Sequence, residues 1–336
     1  MTAIDPADEY FHAVGDDRSW SESYYFNFTD PTLEIGAFTR MGFRPREGWA
    51  DALHAVYLPG GRVAFTYGRR TDITPEAIGA MGVADPQVAA LRLRRGEPFG
   101  QWGVVYRGQA QVMDDPTVML LATKDRPDGW CELVDLEMDI TFTGSASPHY
   151  ARAGAQGHFE QTARAQGTIR LGDTEWRVEG DGVRDKSWGP RTWQAPSGSA
   201  SKAAQPAAVT EGCFINWFSM NFGPDLALGG TCGVTADGSM RGRGWIQRDG
   251  RMADLDEVTV TTVFDDADPL LHRTVRLTAR EVGGETIVVD GSVLTICPTK
   301  VPRRDGITFI NEGHARFHLG SRVGYGIAEH WHAVTR

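Results

Sequence analysis

The chain has no run of about 20 apolar residues, the length a helix needs to cross a hydrocarbon core, so no helical membrane span is expected. It also has no Cys-x-x-Cys pair. Its four cysteines, Cys131, Cys213, Cys232 and Cys297, lie far apart. That removes zinc-ribbon and thioredoxin-like readings and leaves free, mostly buried thiols in a reducing compartment. Residues 1–12 are acidic and carry no apolar stretch, so no signal peptide is expected and the cytoplasm is the expected location. Positive charge is scarce: 34 Lys and Arg stand against 44 Asp and Glu, a net of −10. A nucleic-acid surface needs a dense basic footprint, and attachment to anionic lipid needs a basic patch; both are disfavoured. The arginine clusters (Arg69-Arg70, Arg92 with Arg94-Arg95, Arg303-Arg304) are short and read as solvated loops or helix ends. No Walker A sequence occurs, and no Gly-x-Gly-x-x-Gly sits between a strand and a helix, so nucleotide cofactors are not expected. Ser187 lies near Asp185, but no Gly-x-Ser-x-Gly elbow supports a hydrolase triad.

Helix signals are equally sparse. Residues 75–81 and 86–93 are expected to form two short helices, with Thr74 and Asp85 as N-caps ahead of Pro75 and Pro86. What the chain does have is glycine: 40 among 336 residues, well above the ~7% of average usage. The glycines fall between short apolar-aromatic runs and have no fixed period, the pattern of many strands joined by tight turns. Pro59-Gly60-Gly61, Gly172-Asp173, Asp237-Gly238 and Asp249-Gly250 mark such turns. Residues 195–209 are rich in Ala, Ser, Gly and Pro and read as a linker or a loop over a pocket mouth.

Parts of the chain echo one another. Asp17-Arg18-Ser19-Trp20 resembles Asp185-Lys186-Ser187-Trp188. The aromatic strand around Tyr25-Phe26-Asn27-Phe28 has a counterpart in Trp217-Phe218-Ser219-Met220-Asn221-Phe222. Near the end, Gly324-Tyr325-Gly326-Ile327-Ala328-Glu329 aligns with Gly180-Asp181-Gly182-Val183-Arg184-Asp185. The chain therefore reads as one β-rich unit written twice, with borders at 1–175 and 176–336. Strand side chains alternate between faces. Asp185 then shares a face with Val183 and Ser187, and Glu329 with Tyr325, Ile327 and Trp331. An acid on an apolar strand face is the arrangement that raises a carboxyl pKa.

The central Arg184-Asp185-Lys186-Ser187-Trp188-Gly189-Pro190-Arg191, with Ser19-Trp20-Ser21-Glu22-Ser23-Tyr24-Tyr25-Phe26 and His158-Phe159-Glu160-Gln161, resembles a bacterial family of tandem domains of unassigned function. That family is related to the carotenoid 1,2-hydratase and lipocalin-like two-barrel proteins. From about residue 15 onward, the resemblance implies an all-β fold of two consecutive lipocalin-like barrels with few short helices. It further implies a dry cavity for an isoprenoid-like or polycyclic molecule and chemistry without a cofactor. By motif match, Asp185 takes the role of the aspartate that protonates an alkene. Lys186 departs from the pattern, standing where a histidine is often found.

The candidate catalytic groups are thus Asp185 and, at the matching place in the second unit, Glu329. Trp188, Arg191, Trp217, Tyr325 and Trp331 are the candidate substrate-binding residues, the tryptophans (with Trp193) supplying π faces for a carbocation. The competing reading of Asp185 is an ion pair with Arg184, Lys186 or Arg191 that fastens two domains. Glu22 is the polar residue on the Trp20-Tyr24-Phe26 face, and His158 and Glu160 share strand parity. His330-x-His332 has a legitimate metal-ligand spacing, whereas His314-x-x-x-His318 has helix spacing in a strand; no metal is expected. The expected function is a cofactor-independent lyase or isomerase of hydratase or dehydratase type acting on a hydrophobic, terpenoid- or steroid-like molecule. A carrier of a lipid-like ligand and a module for protein contacts stand beside it. A homodimer is left open.

Overall fold

A computed structural model describes residues 4–153, 156–191, 213–234, 240–303 and 306–335. The expected linker 195–209, Trp193 and the Asp237-Gly238 turn lie outside the described residues. The chain divides into two compact units: Met1–Met113 with Cys131–Thr192, and Asp114–Trp130 with Trp193–Arg336. Both are built from antiparallel strands, so the all-β expectation holds.

Unit 1 contains β1 (Trp20–Asp30), β2 (Ile35–Arg44), β3 (Trp49–Tyr57), β4 (Val63–Arg70), β5 (Gln87–Val88), β6 (Leu91–Arg95), β7 (Gln101–Met113), β8 (Glu132–Gly144), β9 (His149–Ala153), β10 (Gln156–Leu171) and β11 (Thr174–Pro190). They form a sheet in the order β4-β3-β2-β1-β11-β10-β8-β7-β6-β5, with β9 on β10. A further pairing of Val63–Phe65 with Gln111–Met113 joins β4 to β7 and closes eight of these strands on themselves. Closure follows from the side-chain pattern. Tyr24, Phe26 and Phe28 of β1 point into a core with Met41, Trp102 and Phe142, while the alternate residues take the opposite face. The border expected at 175/176 falls at the start of β11, but that strand is hydrogen-bonded to β1 and β10 of unit 1.

Unit 2 is a closed barrel of β12 (Cys213–Asn221), β13 (Leu226–Val234), β14 (Met240–Arg248), β15 (Arg251–Phe264), β16 (His272–Glu281), β17 (Thr286–Arg303), β18 (Gly306–Leu319) and β19 (Arg322–Thr335). Phe218, Met220, Leu228, Ile246, Leu277 and Phe317 fill its core. Residues 114–130, which leave unit 1 between β7 and β8, count with unit 2, where Lys300 Nζ donates to the Leu121 carbonyl at 2.6 Å.

The Gly-x-Gly echo has a steric reason. A Cβ on Gly182 would lie 1.8 Å from the Asn27 carbonyl oxygen, and one on Gly326 would lie 1.9 Å from that of Ser219. In each unit the last strand crosses the first at backbone contact, and only glycine permits it.

One expected helix forms. Pro75–Met81 is α1, capped by Thr74 Oγ1 accepting from Ala77 N at 3.2 Å. The second does not: the 86–93 stretch is the hairpin of β5 and β6, with Ala89 at φ 51°. Val88, Leu91 and Leu93 are buried, and Arg92 and Arg94 between them are turned outward. The Asp85 carboxylate accepts from Arg95 N at 3.0 Å instead of capping a helix. The four cysteines are free, and three of them are buried. Among the described residues no helix is long and apolar enough to cross a membrane.

Candidate active site

Strand β11 carries two different sets of groups on its two faces. Arg184, Lys186 and Trp188 turn toward the core of unit 1, opposite Phe26, Tyr24 and Glu22 of β1. Asp185 and Ser187 turn the other way, opposite Tyr25 and Ser23 of β1 and Glu160 and His158 of β10.

On the core face Lys186, Arg184 and His12 each have a carboxylate beside them. Lys186 Nζ binds Glu22 Oε1, and both side chains are almost wholly buried. His12 adds a 3.0 Å contact from Nδ1 to Glu22 and reaches Asp8 with Nε2 at 3.2 Å. Burial pushes the Glu22 carboxyl up, but Lys186 and His12 outweigh it and hold the group below its usual range. Arg184 donates to Glu9 Oε2 at 2.6 Å, and Glu9 also accepts from Phe99 N and Trp102 Nε1. Trp188 stacks on His12 at 4.0 Å. This face is a network of ion pairs, and it corrects two expectations. Trp188 is not beside Asp185, and neither Arg184 nor Lys186 pairs with Asp185.

The opposite face holds the reactive arrangement. His158 Nε2 lies 2.9 Å from Glu160 Oε1, and its Nδ1 lies 3.4 Å from Asp185 Oδ2. The Glu160 side chain is 4% exposed, that of Asp185 14% and that of His158 33%. Two carboxyls thus face each other across β10 and β11 with one imidazole on both. Burial pushes Asp185 upward, and the Glu160 charge adds to it; His158, Arg191 and Arg40 work in the other direction without reversing the rise. Burial pulls His158 down, but Asp185 and Glu160 together carry it up to about 8. At neutral pH the imidazole is therefore protonated and donates from both ring nitrogens. Arg191, the expected binding residue, joins this face: its Nη1 donates to Ser187 Oγ at 2.9 Å, and Ser187 Oγ is 2.8 Å from Ser23 Oγ. The surroundings mix rings with charged groups, Arg40 and Arg191 both acting on the Asp185 carboxyl. Tyr25 lies opposite Asp185 and stacks on Phe38 at 6.2 Å, and Val183 is fully buried.

His158, Glu160 and Asp185 also form the one group of three among the described residues whose donor atoms, all within 4.8 Å of one another, could ligate a metal. One imidazole and two carboxylates suit a borderline divalent cation. In the structure the imidazolium already provides the positive charge between the carboxylates.

Unit 2 repeats the register with different partners. Glu329 lies opposite Trp217 and Glu312, as Asp185 lies opposite Tyr25 and Glu160. Its carboxylate accepts from Trp331 Nε1, and Glu329, Trp331 and Trp217 are all buried. Tyr325, half-buried on the same face, has the Arg316 guanidinium 5.9 Å from its ring centre. Glu329, Trp217, Tyr325 and Trp331 therefore do share a strand face. Glu312 and Glu9 were not singled out from the sequence. Glu312 was findable by pairing β18 with β19 at Glu329. Glu9 gave no signal, since it lies in an N-terminal stretch without apolar periodicity.

The fold is all-β, in two units of antiparallel strands, one of them a closed eight-stranded barrel. The chain belongs to a family described as "Domain of unknown function (DUF7064)", whose model matches residues 5–334. No curated protein sequence matches it. Among solved structures it is similar to a putative AttH (NE1406) from Nitrosomonas europaea, with a TM-score of 0.59 at 13% identity over 99% of this chain and 97% of that one. It is also similar to kievitone hydratase from Nectria haematococca, with a TM-score of 0.52 at 9% identity over 97% and 93% of the chains. A third similar structure is CghA with Sch210972, with a TM-score of 0.51 at 12% identity over 95% and 89%. At these identities the likeness shows the fold.

Proposed function

We propose that the protein is a cofactor-independent lyase or isomerase, hydratase- or dehydratase-like, that moves a proton onto or off a hydrophobic, terpenoid- or steroid-like molecule. The observation that carries this reading is the Asp185 carboxyl. Burial holds it above its ordinary pKa, next to a second carboxyl and a protonated imidazole. A general acid that works near neutral pH needs such a raised pKa. In the hydration direction the Asp185 proton goes to one alkene carbon, a water oxygen bonds to the neighbouring carbon, and that water gives a proton to the Glu160 carboxylate. His158, within reach of both carboxyls, returns the proton to Asp185. Dehydration runs the same steps backward. Isomerisation replaces water addition by loss of a different substrate proton to Glu160. Arg191 and Ser187 orient a polar group of the substrate, and Tyr25 shields the cation with its ring. In unit 2, Glu329 has the corresponding role of second carboxyl, with Trp217, Tyr325 and Trp331 as its aromatic company. The presence of a hydratase among the structural neighbours is consistent with this reading.

The test is incubation of the protein with a panel of unsaturated and hydroxylated terpenoids and steroids in deuterated water, followed by mass spectrometry. Wild type incorporates deuterium into one scaffold class at carbon, and Asp185→Asn abolishes this while keeping the fold. Full retention by that variant would remove Asp185 from the chemistry. A scaffold that is bound tightly but never labelled would make the protein a carrier.

A further inference from the structure

Inside unit 2, at the end of the barrel where β15 turns into β16, three imidazoles form a row. His272 stacks on His330 with ring centres 3.9 Å apart and planes 17° apart, and His330 lies 6.4 Å from His332 with planes 19° apart. All three are buried to about 1% exposure or less, as is Asn311, which pairs with His330 across β18 and β19. Phe264 closes on His330 and His332 edge-to-face. The proposed reaction uses none of these groups.

Their hydrogen bonding is half complete. His272 Nε2 is 2.8 Å from the Ala328 carbonyl, so that nitrogen carries the proton and Nδ1 presents a bare lone pair. Asn311 donates through Nδ2 to the Leu270 carbonyl at 2.7 Å and presents Oδ1. His330 uses Nε2 on Thr262 Oγ1 at 2.9 Å. Among the described residues His272 Nδ1, Asn311 Oδ1, His330 Nδ1 and both nitrogens of His332 have no hydrogen-bond partner. Burial keeps all three rings neutral: His272 falls to about 3, His332 to about 4, and His330 well below its ordinary value. A neutral His332 adds one further acceptor and one donor.

A row of nearly parallel rings cannot close on one metal ion, because in-plane lone pairs of stacked rings run side by side and do not converge. The same row can take separate hydrogen bonds from separate donors on one molecule. A buried acceptor without a donor is costly, and several in one place call for a polar occupant. A charged occupant is disfavoured in a neutral, aromatic setting. We propose that this end of the unit 2 barrel is a second binding site, which takes a neutral hydroxyl-bearing ring through His272, Asn311 and His332.

The probe is resorcinol, with m-xylene as the hydroxyl-free molecule of the same shape, titrated into the full chain labelled with ¹⁵N in histidine. Resorcinol is expected to shift the His272 Nδ1 and His332 nitrogens saturably, and m-xylene to bind about ten-fold more weakly or worse, the loss of at least one buried hydrogen bond. His332→Phe keeps the ring and is expected to weaken resorcinol by a similar factor. Asp185→Asn is expected to leave resorcinol binding unchanged, which separates this site from the proposed active site. Equal binding of the two probes, resorcinol shifts confined to other histidines, or no saturable shift in wild type would overturn the proposal. The wild-type measurement decides it even if His332→Phe does not fold.

Discussion

His158→Gln offers a quantitative test of the cluster around Asp185. In the native protein the imidazole titrates near 8, against an ordinary 6.5. The difference, at 1.36 kcal/mol per unit, corresponds to about 2 kcal/mol of attraction between imidazolium and carboxylates. A third of the side chain is exposed, so solvent screening lowers this toward ~1 kcal/mol. A group whose folded pKa lies above its unfolded value stabilises fully below the unfolded pKa. That contribution fades as pH rises through the folded value. Wild type should therefore hold a plateau below pH 6.5 and lose about 1–2 kcal/mol as the pH passes 8. Glutamine keeps a donor near Glu160 but carries no charge, so the variant has no such loss in this window. It also leaves Asp185 without its nearest cation, so the Asp185 carboxyl rises further, and ionising it weakens the variant as pH climbs above the ordinary carboxylate range, a cost that disappears on acidification. Urea unfolding at half-unit steps from pH 5.5 to 9.5 measures both. The gap between the two proteins should be widest near pH 6.5 and close toward pH 9. A gap that stays constant across the range would mean that His158 fills space without carrying a proton, and the proposed proton return from Glu160 to Asp185 would lose its intermediary.

Two further perturbations address the frame that holds the site. Lys186→Met leaves Glu22 buried without its main counter-charge and should destabilise by ~3–5 kcal/mol, whereas the double change with Glu22→Leu should recover most of it; urea midpoints of the single and double variants check this. Gly182→Ala places a methyl 1.8 Å from the Asn27 carbonyl oxygen and should cost at least ~3 kcal/mol. Gly79→Ala, in α1 with open space around it, should stabilise by ~0.5–1 kcal/mol in the same thermal or urea assay.

Strands and turns were legible from local pattern because both depend on near neighbours in the chain. Asp249 at φ 48° and Gly250 at φ 77° make the tight turn their sequence announces. The failure at 86–93 has the same origin. Proline after a capping residue is a helix signal, but the alternation of Val88, Leu91 and Leu93 with Arg92 and Arg94 decided the conformation once a core existed to receive it. Asp185 was legible because its strand parity could be counted. Its true companions, His158 and Glu160, lie some 25 residues earlier and meet it only through the β10–β11 register. Trp188 was placed near Asp185 by closeness in the motif; three residues on, it faces the core, as strand parity requires. No local pattern announces Glu9, because its importance comes from the Arg184 guanidinium and the Trp102 indole it meets in the folded unit.

The motif Arg184-Asp185-Lys186-Ser187 therefore reads as two interleaved sets of groups. Along a strand, odd and even positions face different environments, and here each face gathers its own set of charged groups. Lys186 and Arg184 each meet a carboxylate on the core face, which fixes β11 against β1 and against the N-terminal stretch that supplies Glu9 and His12. With its backbone fixed in this way, β11 can hold Asp185 against Glu160 on the other face, where one imidazole lies within reach of both carboxyls and Arg191 joins them. An unconstrained strand would relieve that crowding by rotating the acids into water. The Glu22–Lys186 pair and the Glu160–His158–Asp185 cluster are thus linked through one strand. Lys186, which departs from the pattern the resemblance implies, belongs to the supporting face with Glu22, not to the face of Asp185.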